Sequence, residues 1–297
     1  MSSFSEEERV VQEDGPDPVA SISYSAEFCE LMDNFRAVMR SKEFSERALS
    51  LTEAILEHNA ANYTVWQYRR DCLKSLGSDL RVELQYIDEF ANENPKNYQI
   101  WNHRRSIVSA LGDASSELDF CSAVFKVDSK NYHSWAHRQW AVANYHLWDG
   151  ELEYTDQLLT EDIRNNSAWN HRWFIVQNIS SSIDNGGETR IREIAYTLNK
   201  ISKVKGNESA WNYLRGIANA YPNMQNSICI EVNKLVSSTE NGNVLAISLL
   251  ADLLEMEGSK SNLETAIGFF TLLADIDKIR EKSWMRRIKE CRLSTLL

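Results

Sequence analysis

Five tryptophans recur along this 297-residue chain at a nearly fixed period, each inside the same short frame. The frames are Asn62-Tyr63-Thr64-Val65-Trp66, Asn97-Tyr98-Gln99-Ile100-Trp101, Asn131-Tyr132-His133-Ser134-Trp135, Asn165-Asn166-Ser167-Ala168-Trp169 and Asn207-Glu208-Ser209-Ala210-Trp211. Successive tryptophans stand 35, 34, 34 and 42 residues apart. Asn lies four residues before Trp in all five, and Arg lies three after it in the first four (Arg69, Arg104, Arg138, Arg172). Self-similarity at a period of 20–50 residues marks a repeat architecture, in which each unit buries its apolar face only by stacking on a neighbour.

A second segment recurs in phase with the first. Glu83-Leu84-Gln85-Tyr86, Glu117-Leu118-Asp119-Phe120 and Glu151-Leu152-Glu153-Tyr154 are each 34 residues apart. Around them Leu84, Ile87 and Phe90, and likewise Leu118, Cys121, Val124 and Phe125, follow the i, i+3, i+4 spacing of an amphipathic helix. The unit is therefore helix, short loop, helix. The frame Asn is placed to accept from the free N–H groups at the start of the second helix. Trp then falls one turn in, facing the core, and Arg is expected to span to the next repeat through a carboxylate or a carbonyl.

The expected fold class is all-α, a right-handed α-α superhelix: a solenoid of about six or seven helical-hairpin pairs, the first including residues 48–58 and 63–76. Residues 1–20, acidic with Gly15, Pro16 and Pro18 close together, read as a flexible arm. Residues 21–297 read as a single helical-repeat domain, with repeats centred on Trp66, Trp101, Trp135, Trp169 and Trp211 and a degenerate C-terminal part. Within that part Trp284 and Arg287 restore a fragment of the frame, and a degenerate repeat is expected around residues 244–254. Residues 180–188 read as a loop insertion that contributes to the longer fourth step.

Composition excludes several classes. Four prolines and eleven glycines leave little room for an all-β fold. A net charge of −11 argues against a nucleic-acid partner and disfavours adhesion to anionic membranes. No apolar run of about 18 residues occurs, so no stable membrane insertion is expected. Five cysteines, none in a CxxC pair, and an N-terminus without an apolar stretch suit a reduced, cytoplasmic setting. No GxSxG, Walker, HExxH or CxxC pattern is found, so the chain has no self-contained catalytic apparatus.

The repeats differ at a few positions. One before the frame Asn stand Ala61, Lys96, Lys130, Arg164 and Gly206. Three central repeats thus carry a cation beside a helix N-terminus, where free N–H groups and the helix dipole already favour anions. Such a row suits a ligand bearing phosphate or carboxylate; the plainer reading is three solvated side chains. One after the Asn come Tyr63, Tyr98, Tyr132, Asn166 and Glu208, of which Tyr63 is expected to pack on the preceding helix. Next come Thr64, Gln99, His133, Ser167 and Ser209, where Gln99 and His133 are expected to point along the rim. His103, His137 and His171 all sit two after Trp, too far apart for ligands that must each stand about 2.0–2.1 Å from one ion. Tyr68 and Tyr213 occupy the same position elsewhere, so it reads as a packing slot and no metal is expected in this chain.

The segments NYTVWQYRR, KNYQIWNHRR, KNYHSWAHRQW and NNSAWNHRWF resemble the repeats of protein prenyltransferase α subunits. The lead-in DGPDPV, the segment FRAVMRSKEFSERAL and the later NESAWNYLRGI are also similar, so the resemblance covers residues 14–220 well and the remainder weakly. It implies a crescent of helical hairpins wrapped around a β subunit, in a heterodimer that moves farnesyl or geranylgeranyl from its diphosphate to the Cys of a C-terminal CaaX sequence. It implies zinc in the β subunit, magnesium as an option for farnesyl transfer, and no cofactor bound by this chain. Catalytic roles carry over to Lys96, as a diphosphate contact, and to Tyr132. Substrate-binding roles carry over to Tyr98, Gln99 (toward the peptide carboxylate), Lys130, Asn131 and His133. The expected partners are the β subunit, an isoprenoid diphosphate and CaaX-containing proteins. A non-catalytic helical-repeat scaffold and a Rab-type α subunit are the alternatives.

Overall fold

The computed structural model describes residues 9–13, 15–17, 19–20, 22–179, 187–237 and 243–295. Among them the chain forms fifteen α-helices and no strand. A leading helix, α1 (Ala26–Ser41), precedes seven hairpins. These are α2 (Glu46–His58) with α3 (Tyr63–Leu76), α4 (Leu80–Glu93) with α5 (Tyr98–Leu111), and α6 (Glu117–Val127) with α7 (Tyr132–Tyr145). Then come α8 (Glu151–Glu161) with α9 (Asn166–Ile179), and α10 (Gly187–Lys203) with α11 (Glu208–Ala220). The last two are α12 (Gln225–Ser237) with α13 (Val244–Glu257), and α14 (Lys260–Ile276) with α15 (Glu281–Ser294). The chain divides into two compact units, residues 1–146 and 147–297. Most of the expected loop insertion at 180–188, and residues 1–8, 14 and 18 of the expected arm, lie outside the described residues. Val10, also in that arm, is held on α1: its N–H donates to the Asp33 carbonyl at 3.3 Å, and its carbonyl accepts from Arg36 Nε at 2.7 Å.

The frame asparagines start the second helices as their chemistry dictates. Oδ1 of Asn62 accepts from the N–H groups of Thr64 and Val65, that of Asn97 from Gln99, and that of Asn131 from Ser134. Oδ1 of Asn165 accepts from Ser167 and Ala168, and that of Asn207 from Ser209. Each such cap contributes about 1 kcal/mol. Gly77 and Gly112 close α3 and α5 in the left-handed conformation, with φ of 65° and 67°, which a side chain would disfavour.

All five frame tryptophans are buried, and each indole N–H donates to the carbonyl six residues earlier, at 2.8–3.0 Å. In three places that carbonyl also accepts from the cap asparagine of the next hairpin. Pro95 O receives Asn131 Nδ2 at 3.1 Å, Ile163 O receives Asn207 Nδ2 at 2.7 Å, and Lys205 O receives Asn243 Nδ2 at 2.6 Å. Asn243 also caps α13 through the N–H groups of Leu245 and Ala246, with Ile247 in the Trp position. The degenerate repeat expected near residues 244–254 is this hairpin.

The recurrent Glu resolves the role of the recurrent Arg. Arg69 grips Glu83 with two bonds of 2.7 and 2.8 Å, Arg104 grips Glu117 at 2.8 and 2.8 Å, and Arg172 grips Glu193 at 2.7 and 2.6 Å. In each pair the carboxylate belongs to the following hairpin. The same carboxylates are bonded from within their own hairpin, Glu83 by His103 Nε2 at 2.8 Å, Glu117 by His137 Nε2 at 2.5 Å, and Glu193 by the Tyr213 hydroxyl at 2.7 Å. Glu151 is likewise met by His171 at 2.6 Å. The aromatic residue three after Glu floors each guanidinium: Tyr86 under Arg69, Phe120 under Arg104, Tyr196 under Arg172. All these charged groups are buried. The Trp+2 slot is therefore a packing and hydrogen-bonding position, as expected.

Removing one member of such a cluster strands the others away from water. Glu117→Ala is expected to lower unfolding free energy by about 3–5 kcal/mol, whereas Asp88→Ala, which frees only a half-exposed partner of Arg104, costs less than about 1 kcal/mol; urea denaturation followed by tryptophan fluorescence measures both. The cluster also titrates. Burial opposes the charge on Glu117, but bonds from His137 and Arg104 outweigh it and hold the carboxyl below the ordinary glutamate range. Burial pushes His137 below the ordinary histidine range despite Glu117, because Arg104 already answers that carboxylate. Both groups bind fewer protons folded than unfolded. Their stabilisation is complete above about pH 6.5, falls first as histidines protonate in the unfolded chain, and falls further below about pH 4.5 as glutamates do. Stability should therefore decline monotonically from pH 7 to pH 4, and His137→Gln should flatten the upper part of that curve.

Candidate functional site

The turns between the helices of each hairpin share one construction. The frame Asn N–H donates three residues back, Asn97 to the Asn94 carbonyl at 3.1 Å and Asn131 to the Asp128 carbonyl at 3.0 Å. Asp128 Oδ1 accepts the Lys130 N–H at 3.1 Å. The residue before the frame Asn is thereby set outside the helix N-terminus with its side chain in solvent, and Lys96, Lys130 and Arg164 are all exposed.

Two contacts bring the turns of Lys96 and Lys130 onto one rim. The Pro95 carbonyl is bonded both by Trp101 of its own hairpin and by Asn131 of the next. The second turn's Asp128 reaches back, with Oδ2 3.8 Å from Lys96 Nζ. One carboxylate thus faces the Lys96 ammonium and the Lys130 backbone together. His133 completes the join. Its ring meets Tyr98 edge-on at 4.3 Å and Tyr132 at 5.5 Å, and it is hydrogen-bonded to the Lys96 backbone. Burial lowers the His133 pKa, opposed by that bond. Beside the rim an open concavity is lined by Ala61, Glu93, Asn94, Lys96, Tyr98 and Gln99, among others.

The expected site residues are thus brought together in the first unit with one exception and one surprise. Lys96, Tyr98, Lys130 and Tyr132 are exposed, and Gln99 and His133 half-buried, on the same edge. Asn131 differs. It is buried, its Oδ1 caps α7 and its Nδ2 is bonded to Pro95, so its side chain serves the frame and is not presented to a ligand. Tyr63 is not packed on the preceding helix; it is 70% exposed, alongside 68% for Tyr98 and 69% for Tyr132. A first-turn side chain points back past the helix start, and nothing in the α2–α3 turn covers it. Asp128 joins the expected set. Its signal is an Asx three before the frame Asn, seen also in Asn59, Asn94 and Asp162.

Arg164 occupies the corresponding turn of the second unit, its N–H bonded to Asp162 Oδ1 at 2.9 Å. The cation series ends at Gly206. A separate cavity of about 330 Å³ in that unit is lined by Arg215, Arg280 and Arg287, but Asp252, Glu255 and Asp277 pair with them and balance the charge. Among the described residues no three His, Cys, Asp or Glu side chains stand together as metal ligands. Chemically, the rim of the first unit can hold an anion. It offers two ammonium groups over the N-termini of α5 and α7, with phenol and imidazole groups beside them.

Because Lys96 is 78% exposed and its partner Asp128 is 40% exposed, it contributes little to the fold. Lys96→Ala should change unfolding free energy by less than about 1 kcal/mol, read as a near-unchanged melting temperature.

Comparison with known proteins agrees with this architecture. The model of the protein prenyltransferase alpha subunit repeat matches residues 45–76, 80–111, 114–145, 148–179 and 191–221. The protein farnesyltransferase/geranylgeranyltransferase type-1 subunit alpha of Pisum sativum is 40% identical over 94% of this chain and 90% of its own. The protein of the same description from Dictyostelium discoideum is 37% identical over 95% and 90%. Among solved structures, Candida albicans protein geranylgeranyltransferase-I complexed with GGPP superposes with a TM-score of 0.87 at 29% identity, covering 98% of this chain and all of that one.

Proposed function

The chain belongs to the protein prenyltransferase α-subunit family, and from that membership we propose how its rim works. The chain is the α subunit shared by protein farnesyltransferase and geranylgeranyltransferase type I. It acts in a heterodimer that transfers an isoprenoid from its diphosphate to a cysteine thiol. The carrying observation is the joined Lys96–Lys130 rim, a cationic edge on a chain of net charge −11. Neither a non-catalytic scaffold nor a Rab-type α subunit is favoured by any contact at this edge.

In this reading the β subunit supplies the isoprenoid cavity, and the α-subunit rim closes over the diphosphate. As the carbon–oxygen bond breaks, negative charge grows on the leaving diphosphate. A fixed ammonium then stabilises the transition state more than the ground state. Lys96 supplies that charge, and Tyr132 and Lys130 donate to the same oxygens from the adjoining turn. Tyr98 is held by the His133 ring and lines the substrate side, and Gln99 receives the terminal carboxylate of the CaaX peptide. Zinc belongs to the partner. His103, His137 and His171 do not fit it, since they are turned to buried glutamates, and no step here is routed through a metal. No helix among the described residues is long and apolar enough to cross a membrane, and a cytoplasmic enzyme acting on finished C-termini suits that.

Co-expression with a β subunit, followed by assay of a CaaX peptide with each isoprenoid diphosphate, tests the assignment. The complex should transfer and the isolated chain should not; robust transfer by the single chain would overturn the heterodimer reading. Within the complex, Lys96→Ala should slow the chemical step roughly 10- to 10³-fold, about 1.4–4 kcal/mol, with subunit assembly intact. An unchanged single-turnover rate would remove Lys96 from the chemistry.

A further inference from the structure

The C-terminal helix reverses the charge of the molecule locally. In a chain of net charge −11, α15 carries five cations (Lys282, Arg286, Arg287, Lys289 and Arg292) against Glu281 and Glu290. Its inward stripe is Trp284, Ile288 and Cys291, all buried in the core shared with Phe270 of α14. Arg287 also turns inward, to Asp252 and Glu255. At 100° per residue the face opposite that stripe centres on Lys282, Arg286, Lys289 and Leu293, with Glu290 and Met285 on its two flanks and Arg292 beyond Met285, every one exposed. Met285 is 54% and Leu293 56% exposed. Glu290 stands on one flank, 3.5 Å from Arg286. Lys282, Lys289 and Arg292 have no carboxylate partner among the described residues.

A helix whose inner stripe is satisfied has no structural need for three outward cations, a fourth beside them, and two bare apolar side chains among them. Lysine is depleted where proteins bind proteins, and aromatic residues are enriched there; this face holds two lysines and no aromatic residue. Cations interleaved with exposed aliphatic groups suit an anionic bilayer surface, where headgroups take the charges and the interface takes the methyl and thioether groups. We infer that the outer face of α15 is a docking surface for the anionic headgroups of a phospholipid bilayer. The contact is peripheral and reversible. Each cation near such a surface adds a modest attraction, while the acidic remainder of the chain is repelled, which orients the molecule with α15 toward the lipid. The inference stands apart from the chemistry of the rim.

The test uses the purified complex of this chain with its partner subunit and vesicle co-sedimentation. Binding is expected to vesicles of phosphatidylcholine with phosphatidylserine, not to phosphatidylcholine alone, and to weaken steeply with salt. Lys282→Glu with Lys289→Glu should reduce it by at least about tenfold, and Lys282→Arg with Lys289→Arg should retain it. Transfer to a soluble CaaX peptide should be the same in all three, which separates a lost surface from a lost fold. The proposal is overturned by no binding to the anionic vesicles, by equal binding to neutral ones, or by undiminished binding of the charge-reversed variant. Capture of α15 by an acidic protein without any vesicle binding would overturn it too.

Discussion

A buried carboxylate must be answered from close by, and the hairpins of this chain are assembled around that requirement. Each of Glu83, Glu117 and Glu193 is held by a guanidinium from the hairpin before and by an imidazole or phenol from its own. Apolar stacking alone would let neighbouring hairpins slide past one another, since hydrophobic contact has no direction. A two-pronged Arg–carboxylate bond does have direction. We read the cluster as the element that fixes register between neighbours, and the tryptophans as the bulk that fills the space so registered. Removing half of such a cluster is what is costly, because it leaves the other half buried and unanswered.

The candidate site inherits its geometry from that register. The Pro95 carbonyl takes one donor from its own hairpin and one from the next, so the turns bearing Lys96 and Lys130 cannot drift apart without breaking the Asn131 bond. His133, wedged between Tyr98 and Tyr132, adds a second, aromatic tie. The exposed cations thus stand on a fixed base, with Lys96 further held toward Asp128. That suits electrostatic stabilisation of a transition state, which gains most when the charges need no rearrangement at the moment of reaction.

Much of this was legible in the sequence because repetition exposes structural positions by their recurrence. The Asn caps, the buried tryptophans, the Arg that crosses to the next hairpin and the packing histidines all stand where their spacing put them. What escaped was of two kinds. Asn131 and Tyr63 depart from expectation because a residue type does not say which way its side chain faces. The amide of Asn131 has two structural bonds, and Tyr63 has no neighbour to cover it. Asp128 and Asn243 escape for another reason: they are polar loop residues outside the Trp frames, so the apolar pattern does not mark them, although each repeats a position seen in other hairpins.

The chain separations within these clusters are unequal in a telling way. Glu83 and His103, Glu117 and His137, Glu151 and His171, and Glu193 and Tyr213 are each 20 residues apart. Arg69 and Glu83 are separated by 14, Arg104 and Glu117 by 13, and Arg172 and Glu193 by 21. Across these four hairpins the spacing inside the module is constant, and the differences in length fall at the joints. Natural variation in length, and any sequence grafted in by design, belongs at those joints.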